Sequence, residues 1–151
     1  MDGDWLDEVQ AGERAELERE IREAKARNKL ISAEAPKMFD ALLVSFRRAA
    51  VTCNVSGVTL RLERPERDLG RLIATVHRGA TPLKTCVDVL FDPDTQEVRC
   101  TSQVGGTETF YFGIISPGKV GLFRDGRPIY KMDTVPDMVL RPLLSAVKAL
   151  H

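Results

Sequence analysis

Histidine occurs only twice in this sequence, as His77 and His151, so groups able to move protons near neutral pH are scarce. General acid or base work calls for a histidine or carboxylate whose surroundings shift its pKa toward the working pH. His151 is the final residue, and His77 falls near the end of an alternating segment, on the face opposite Ala74 and Val76. That position reads as a surface or edge histidine. A serine nucleophile needs a base within hydrogen-bond reach, often on a strained strand-to-helix turn flanked by glycine. Ser56, Ser102, Ser116 and Ser145 have no such setting, so no residue is assigned a catalytic role and the sequence leans away from an enzyme.

Metal and cofactor motifs are equally absent from the pattern. Cys53, Cys86 and Cys100 stand too far apart for the short ligand spacings of zinc sites, and an odd number cannot fully pair within one chain. They are expected to be free thiols, although Cys86 and Cys100 fall on segments predicted to be neighbouring strands. Asp88, Asp92 and Asp94 superficially suggest a calcium loop, but Pro93 interrupts them and the remaining ligands of the twelve-residue pattern are missing. Gly105 and Gly106 lack the lysine or helix start that would cradle a phosphate. No metal or cofactor is expected.

Two arrangements remain that are able to bind something. Arg61, Arg64, Arg67 and Arg71, with Arg78 beyond them, make a basic cluster over one predicted hairpin. Single-stranded nucleic acid is usually held by such charges interleaved with aromatic rings, on which the bases stack. The rings here are elsewhere, at Phe110, Tyr111 and Phe112, which argues against nucleic acid and for a solvated face or protein-binding patch. Those rings belong to the predicted core. A curved sheet covered by a helix can nevertheless enclose a pocket, and Asp88, Tyr111 and His77 are the candidate polar groups for one beneath residues 36–53.

The elements that would position these groups follow from composition and period. The 151 residues are 43% hydrophobic and 29% charged, the balance of a globular chain able to build a core. No apolar run approaches the roughly 18 to 20 residues needed to cross a bilayer. The start of the sequence, with Asp2, Asp4, Asp7 and Glu8, lacks the basic and apolar regions of a secretory signal, so a cytoplasmic location is expected.

Residues 58–132 alternate with period two, broken by turn residues at 64–70, 79–82, 92–95, 105–106, 117–118 and 125–126. Asp92, Pro93, Asp94 and Thr95 give the strongest hairpin signal, and Asp125 with Gly126 gives a two-residue loop. Turns this short join antiparallel neighbours. The expected fold is α+β: an antiparallel meander of six to seven strands, packed by a helix over about 36–53 and another over about 134–150. In the first, Met38, Leu42, Leu43, Phe46, Ala49 and Ala50 recur at three and four, and in the second Val135, Val139, Leu143, Ala146, Val147 and Leu150 do the same. Pro142 is expected to bend the second helix.

Residues 4–28 form a further predicted helix, rich in Ala, Glu and Arg, with a break over 28–36 because the residue before Pro36 is biased away from helix. Its stripe of Trp5, Leu6, Val9, Leu17 and Ile21 is narrow and weakened by Gly12. The formal net charge is zero, but residues 1–23 carry nine acids against three arginines, leaving 13 acids and 19 bases elsewhere. The chain is therefore divided into a charged helical arm, 1–30, and a single α+β domain, 31–151. The thin stripe points to a protein partner or a homo-oligomer, docked through Trp5, Leu6, Val9, Leu17 and Ile21.

Overall fold

The computed structural model describes residues 2–52, 57–77 and 80–150. Cys53, Ser56, Arg78 and His151 lie outside them. Helix α1 (Asp2–Thr52) is followed by strands β1 (Val58–Glu66), β2 (Leu69–Val76), β3 (Leu83–Asp92), β4 (Glu97–Ser102), β5 (Thr107–Ser116), β6 (Lys119–Arg124) and β7 (Arg127–Ile129), then helix α2 (Thr134–Leu150). The strands form one sheet in chain order, every neighbouring pair antiparallel. The expected α+β meander is the observed one, with seven strands.

Turn chemistry accounts for this order locally. Asp125 and Gly126 both have positive φ, 52° and 78°, as a two-residue type I′ hairpin requires. Gly118, at φ 75°, follows Pro117 and supplies the left-handed residue of a Pro-Gly turn. At the β3–β4 turn, the Asp94 amide donates to Oδ1 of Asp92 at 3.0 Å, the local bond that Asp favours in turns.

Three boundaries differ from the sequence expectation. The turn between β1 and β2 is only Arg67 and Asp68, because β1 continues through Pro65 to Glu66. Pro65 is tolerated there because β1 is an edge strand and its register slips between Glu63 and Glu66, so the missing amide leaves no ladder bond unmade. Strand β7 stops at Ile129, three residues short of Met132. The largest difference is at Pro36, where no break occurs: α1 is one helix of 51 residues with the proline inside it, about 75 Å long at 1.5 Å per residue. Leu30 and Ile31 pack against the core before the proline, and Ala35 and Phe39 are buried around it. Burial on both sides of Pro36 holds the segment helical against the loss of one backbone bond.

Alternation then assigns the faces of the sheet. Leu72, Val87, Val89, Val98, Phe110 and Leu122 point inward, where they meet Phe39, Leu42 and Phe46 of α1 and Val135, Leu143 and Val147 of α2 in one core. Gly70 allows α1 to come close to β2, since a Cβ there would lie 2.5 Å from Leu43. The opposite face, carrying Arg61, Arg71, Asp88, Arg99 and Tyr111, has no helix over it among the described residues, an arrangement that antiparallel sheets accommodate by alternating apolar and polar residues.

Candidate interaction surface

The first five turns of α1 project away from the core. Every side chain from Asp4 to Glu23 is exposed. The five large apolar residues of this arm, Trp5, Leu6, Val9, Leu17 and Ile21, are between 38% and 67% accessible. Scattered exposed leucines are ordinary on protein surfaces; an aligned set on one helix is not.

Their alignment follows from the continuity of α1. At about 100° per residue, Leu6, Val9, Leu17, Ile21 and Ala24 fall within about 60° of the direction in which Ile31, Ala35, Met38, Leu42 and Phe46 face the core. Trp5 flanks the stripe on the Val9 side. The apolar face that covers the sheet therefore continues into the arm with nothing beneath it among the described residues. Within the arm, Arg19 pairs with Glu16 at 3.8 Å and with Glu23 at 4.0 Å. Such exposed pairs support the helix by only a few tenths of a kcal/mol each.

The arginine cluster is largely neutralised by carboxylates. Arg61 pairs with Glu63 at 2.6 Å, Arg64 with Asp40 at 2.6 Å, and Arg71 donates through Nε to Asp88 at 2.8 Å. The Asp88 carboxylate raises the Arg71 pKa further above its ordinary value. Arg64 also donates to the Arg67 carbonyl at 2.9 Å, which closes the β1–β2 turn, while the Arg67 side chain is exposed. The hairpin presents mixed charge rather than a basic stripe.

Asp88, Tyr111 and His77 are not brought together. The space between α1 and the sheet is filled by Phe39, Leu42, Phe46, Leu72, Phe110 and Leu122. Asp88 and Tyr111 lie on the outer face, Asp88 against Arg71 and Tyr111 stacked on Phe123 with ring centroids 5.5 Å apart. His77 follows the end of β2, where its Nε2 is 2.9 Å from Oγ1 of Thr59. Cys86 and Cys100, on adjacent strands, project to opposite faces: Cys86 is in register with Ile73, Cys100 with Val89. Burial pushes the Cys100 thiol up to about 12, and desolvation also raises Cys86. Among the described residues no cluster of three or more potential metal ligands occurs.

One feature was not legible in the sequence. A groove of about 500 Å³ opens between the end of α1 and α2, lined by Ala49, Lys131, Asp133, Asp137, Leu140 and Arg141. Asp133, just before α2, accepts through Oδ1 a 2.8 Å bond from the Ser45 hydroxyl of α1. Only the meeting of the two helices creates this groove, and no local pattern announces it.

Comparison with protein families, curated proteins and solved structures gives no match to the chain. Among the described residues no helix is long and apolar enough to cross a membrane.

Proposed function

We propose that this chain is a non-catalytic protein-interaction module that self-associates or docks a partner through the N-terminal arm of α1. The observation that carries the proposal is the exposed stripe of Leu6, Val9, Leu17 and Ile21, flanked by exposed Trp5 and continuing the core face of the same helix. Burying such residues against a second surface contributes about 25 cal/mol per Å² of apolar area removed from water. A cytoplasmic setting belongs to the same proposal, since free thiols at Cys86 and Cys100 suit a reducing compartment.

The test uses the full chain with Leu17→Glu and Ile21→Glu together, compared with wild type by light scattering and by Trp5 fluorescence over a concentration series. Both positions are exposed, so the fold is unaffected. Loss of assembly, or loss of a blue shift at Trp5 on partner binding, supports the arm as the working surface. Identical behaviour of the two proteins removes it.

A second reading, a small-molecule site, has its support in the α1–α2 groove, where Lys131, Asp133, Asp137 and Arg141 converge around a volume in the range of ligand pockets. A rise in Tm with small phosphates or carboxylates, abolished by Arg141→Ala, favours it. No shift with either class counts against it.

A further inference from the structure

The charges of the arm are not evenly mixed. Its tip carries Asp4, Asp7 and Glu8 with no basic residue, and its base carries Lys25, Arg27 and Lys29 with no acidic one. In the middle, Arg19 is held between Glu16 and Glu23 of the same helix. Among the described residues the six terminal charges make no ion pair, and all six side chains are exposed. The helix thus presents a negative end and a positive end, about 30 Å apart at 1.5 Å per residue, joined by an apolar stripe.

We infer that the occupant of the stripe is the arm of a second copy of this chain, running antiparallel. This inference rests on the arm being the interaction surface. Antiparallel pairing sets each acidic tip beside the other copy's basic base, whereas parallel pairing sets tip on tip and base on base. Centred near Ala15, the antiparallel pair also brings Leu6 and Val9 of one arm opposite Ala24 and Ile21 of the other. Glu13, which interrupts the stripe, then faces Leu17 of the partner copy; in the parallel arrangement it meets its own equivalent, a like-charge contact in the seam. The contact is isologous, so it closes at two copies and leaves the two α+β bodies at opposite ends.

Fold-back of the arm on its own body is excluded by the continuity of α1 from Asp2 to Thr52. The available length fits: residues 2–28 precede the first core-packed residues, Leu30 and Ile31, so a full antiparallel overlap ends where the partner copy's body begins.

The test compares three full-length proteins by sedimentation equilibrium at low salt under reducing conditions, with the Leu17→Glu, Ile21→Glu protein as the stripe control. They are wild type, a base reversal (Lys25→Glu, Arg27→Glu, Lys29→Glu), and a double reversal that adds Asp4→Lys, Asp7→Lys and Glu8→Lys. Wild type is expected to dimerise, the base reversal to raise the dimer Kd by about tenfold or more, since three bases on each arm become acids beside the other copy's acidic tip, and the double reversal to recover most of that loss. A dimer broken by the stripe control but indifferent to base reversal overturns the antiparallel arrangement alone. A monomeric wild type overturns self-pairing while leaving the arm open to another protein. A dimer indifferent to the stripe control overturns both the pairing and the arm as interaction surface.

Discussion

The Ser45 hydroxyl donates a 2.8 Å hydrogen bond to Oδ1 of Asp133, joining the body half of α1 to the start of α2 across 88 positions of sequence. Ser45 is buried and Asp133 exposed, so the bond lies at the mouth of the inter-helix groove. Ser45→Ala leaves the carboxylate in solvent rather than stranded in the core, and is expected to cost about 1 kcal/mol, below the usual range of about 1.5–3 kcal/mol for a bond to a charged group. Urea denaturation should show a lower midpoint with an unchanged slope.

Phe110 and Leu17 test the division between body and arm. Phe110 is fully buried where β5 meets the helices, and Phe110→Ala is expected to cost about 3–5 kcal/mol through lost burial and the cavity left behind. Leu17→Ala, measured in dilute protein where the arm is unpartnered, should change stability by less than about 0.5 kcal/mol. A large loss at Leu17 under those conditions would contradict the exposed position of Leu17 on the arm.

Pro36 lies inside α1 and supplies no amide to the helix, where a proline costs about 3 kcal/mol relative to alanine. Pro36→Ala should therefore stabilise the protein, by about 1 kcal/mol or more, with a higher Tm and no loss of helix signal in circular dichroism. Destabilisation would indicate that the proline holds a bend on which the core packing depends.

The cysteines predict a pH dependence with a definite sign. The folded Cys100 thiol is pushed up to about 12 from an ordinary value of 9.0, chiefly by burial and secondarily by Glu108. The unfolded thiol ionises first, so this contribution is complete below pH 9 and is lost as pH rises toward 12. The loss is about 1.4 kcal/mol per pH unit within that window. Cys100→Ala should remove that component of the alkaline slope in denaturation curves. In the folded protein a maleimide should label half-buried Cys86 before buried Cys100, with Cys100 reacting only on unfolding, as read by mass spectrometry.

The meander was legible because its signals are local. Period-two alternation, Asp125–Gly126, Pro117–Gly118 and the Asp92–Thr95 turn each act within a few residues, and together they leave antiparallel neighbours as the only short route. The periodicity of residues 38–50 and 135–147 marked the two core-facing helical segments for the same reason. The narrow stripe of the arm was also readable, because a helix face is a property of spacing alone.

Where local preference competes with burial, the sequence was silent about the winner. The bias before Pro36 predicts a break, but packing of Leu30, Ile31, Ala35 and Phe39 on either side of it keeps α1 whole. Arg61, Arg64 and Arg71 read as a basic cluster until the pleat of β1 sets Glu63 beside Arg61, cross-strand register sets Asp88 beside Arg71 and the approach of α1 sets Asp40 beside Arg64. Asp88, Tyr111 and His77 looked like pocket groups until the face of each strand was assigned.

The sequence by itself therefore determined the strand order, the turn types and the amphipathic faces, all set by backbone dihedrals and spacing over a few residues. Only the tertiary structure decided that arm and body share one helix, that the core is filled, and that α1 and α2 meet in a groove at Ser45 and Asp133. Those outcomes depend on surfaces far apart in the chain, whose burial outweighs local propensity once they come together.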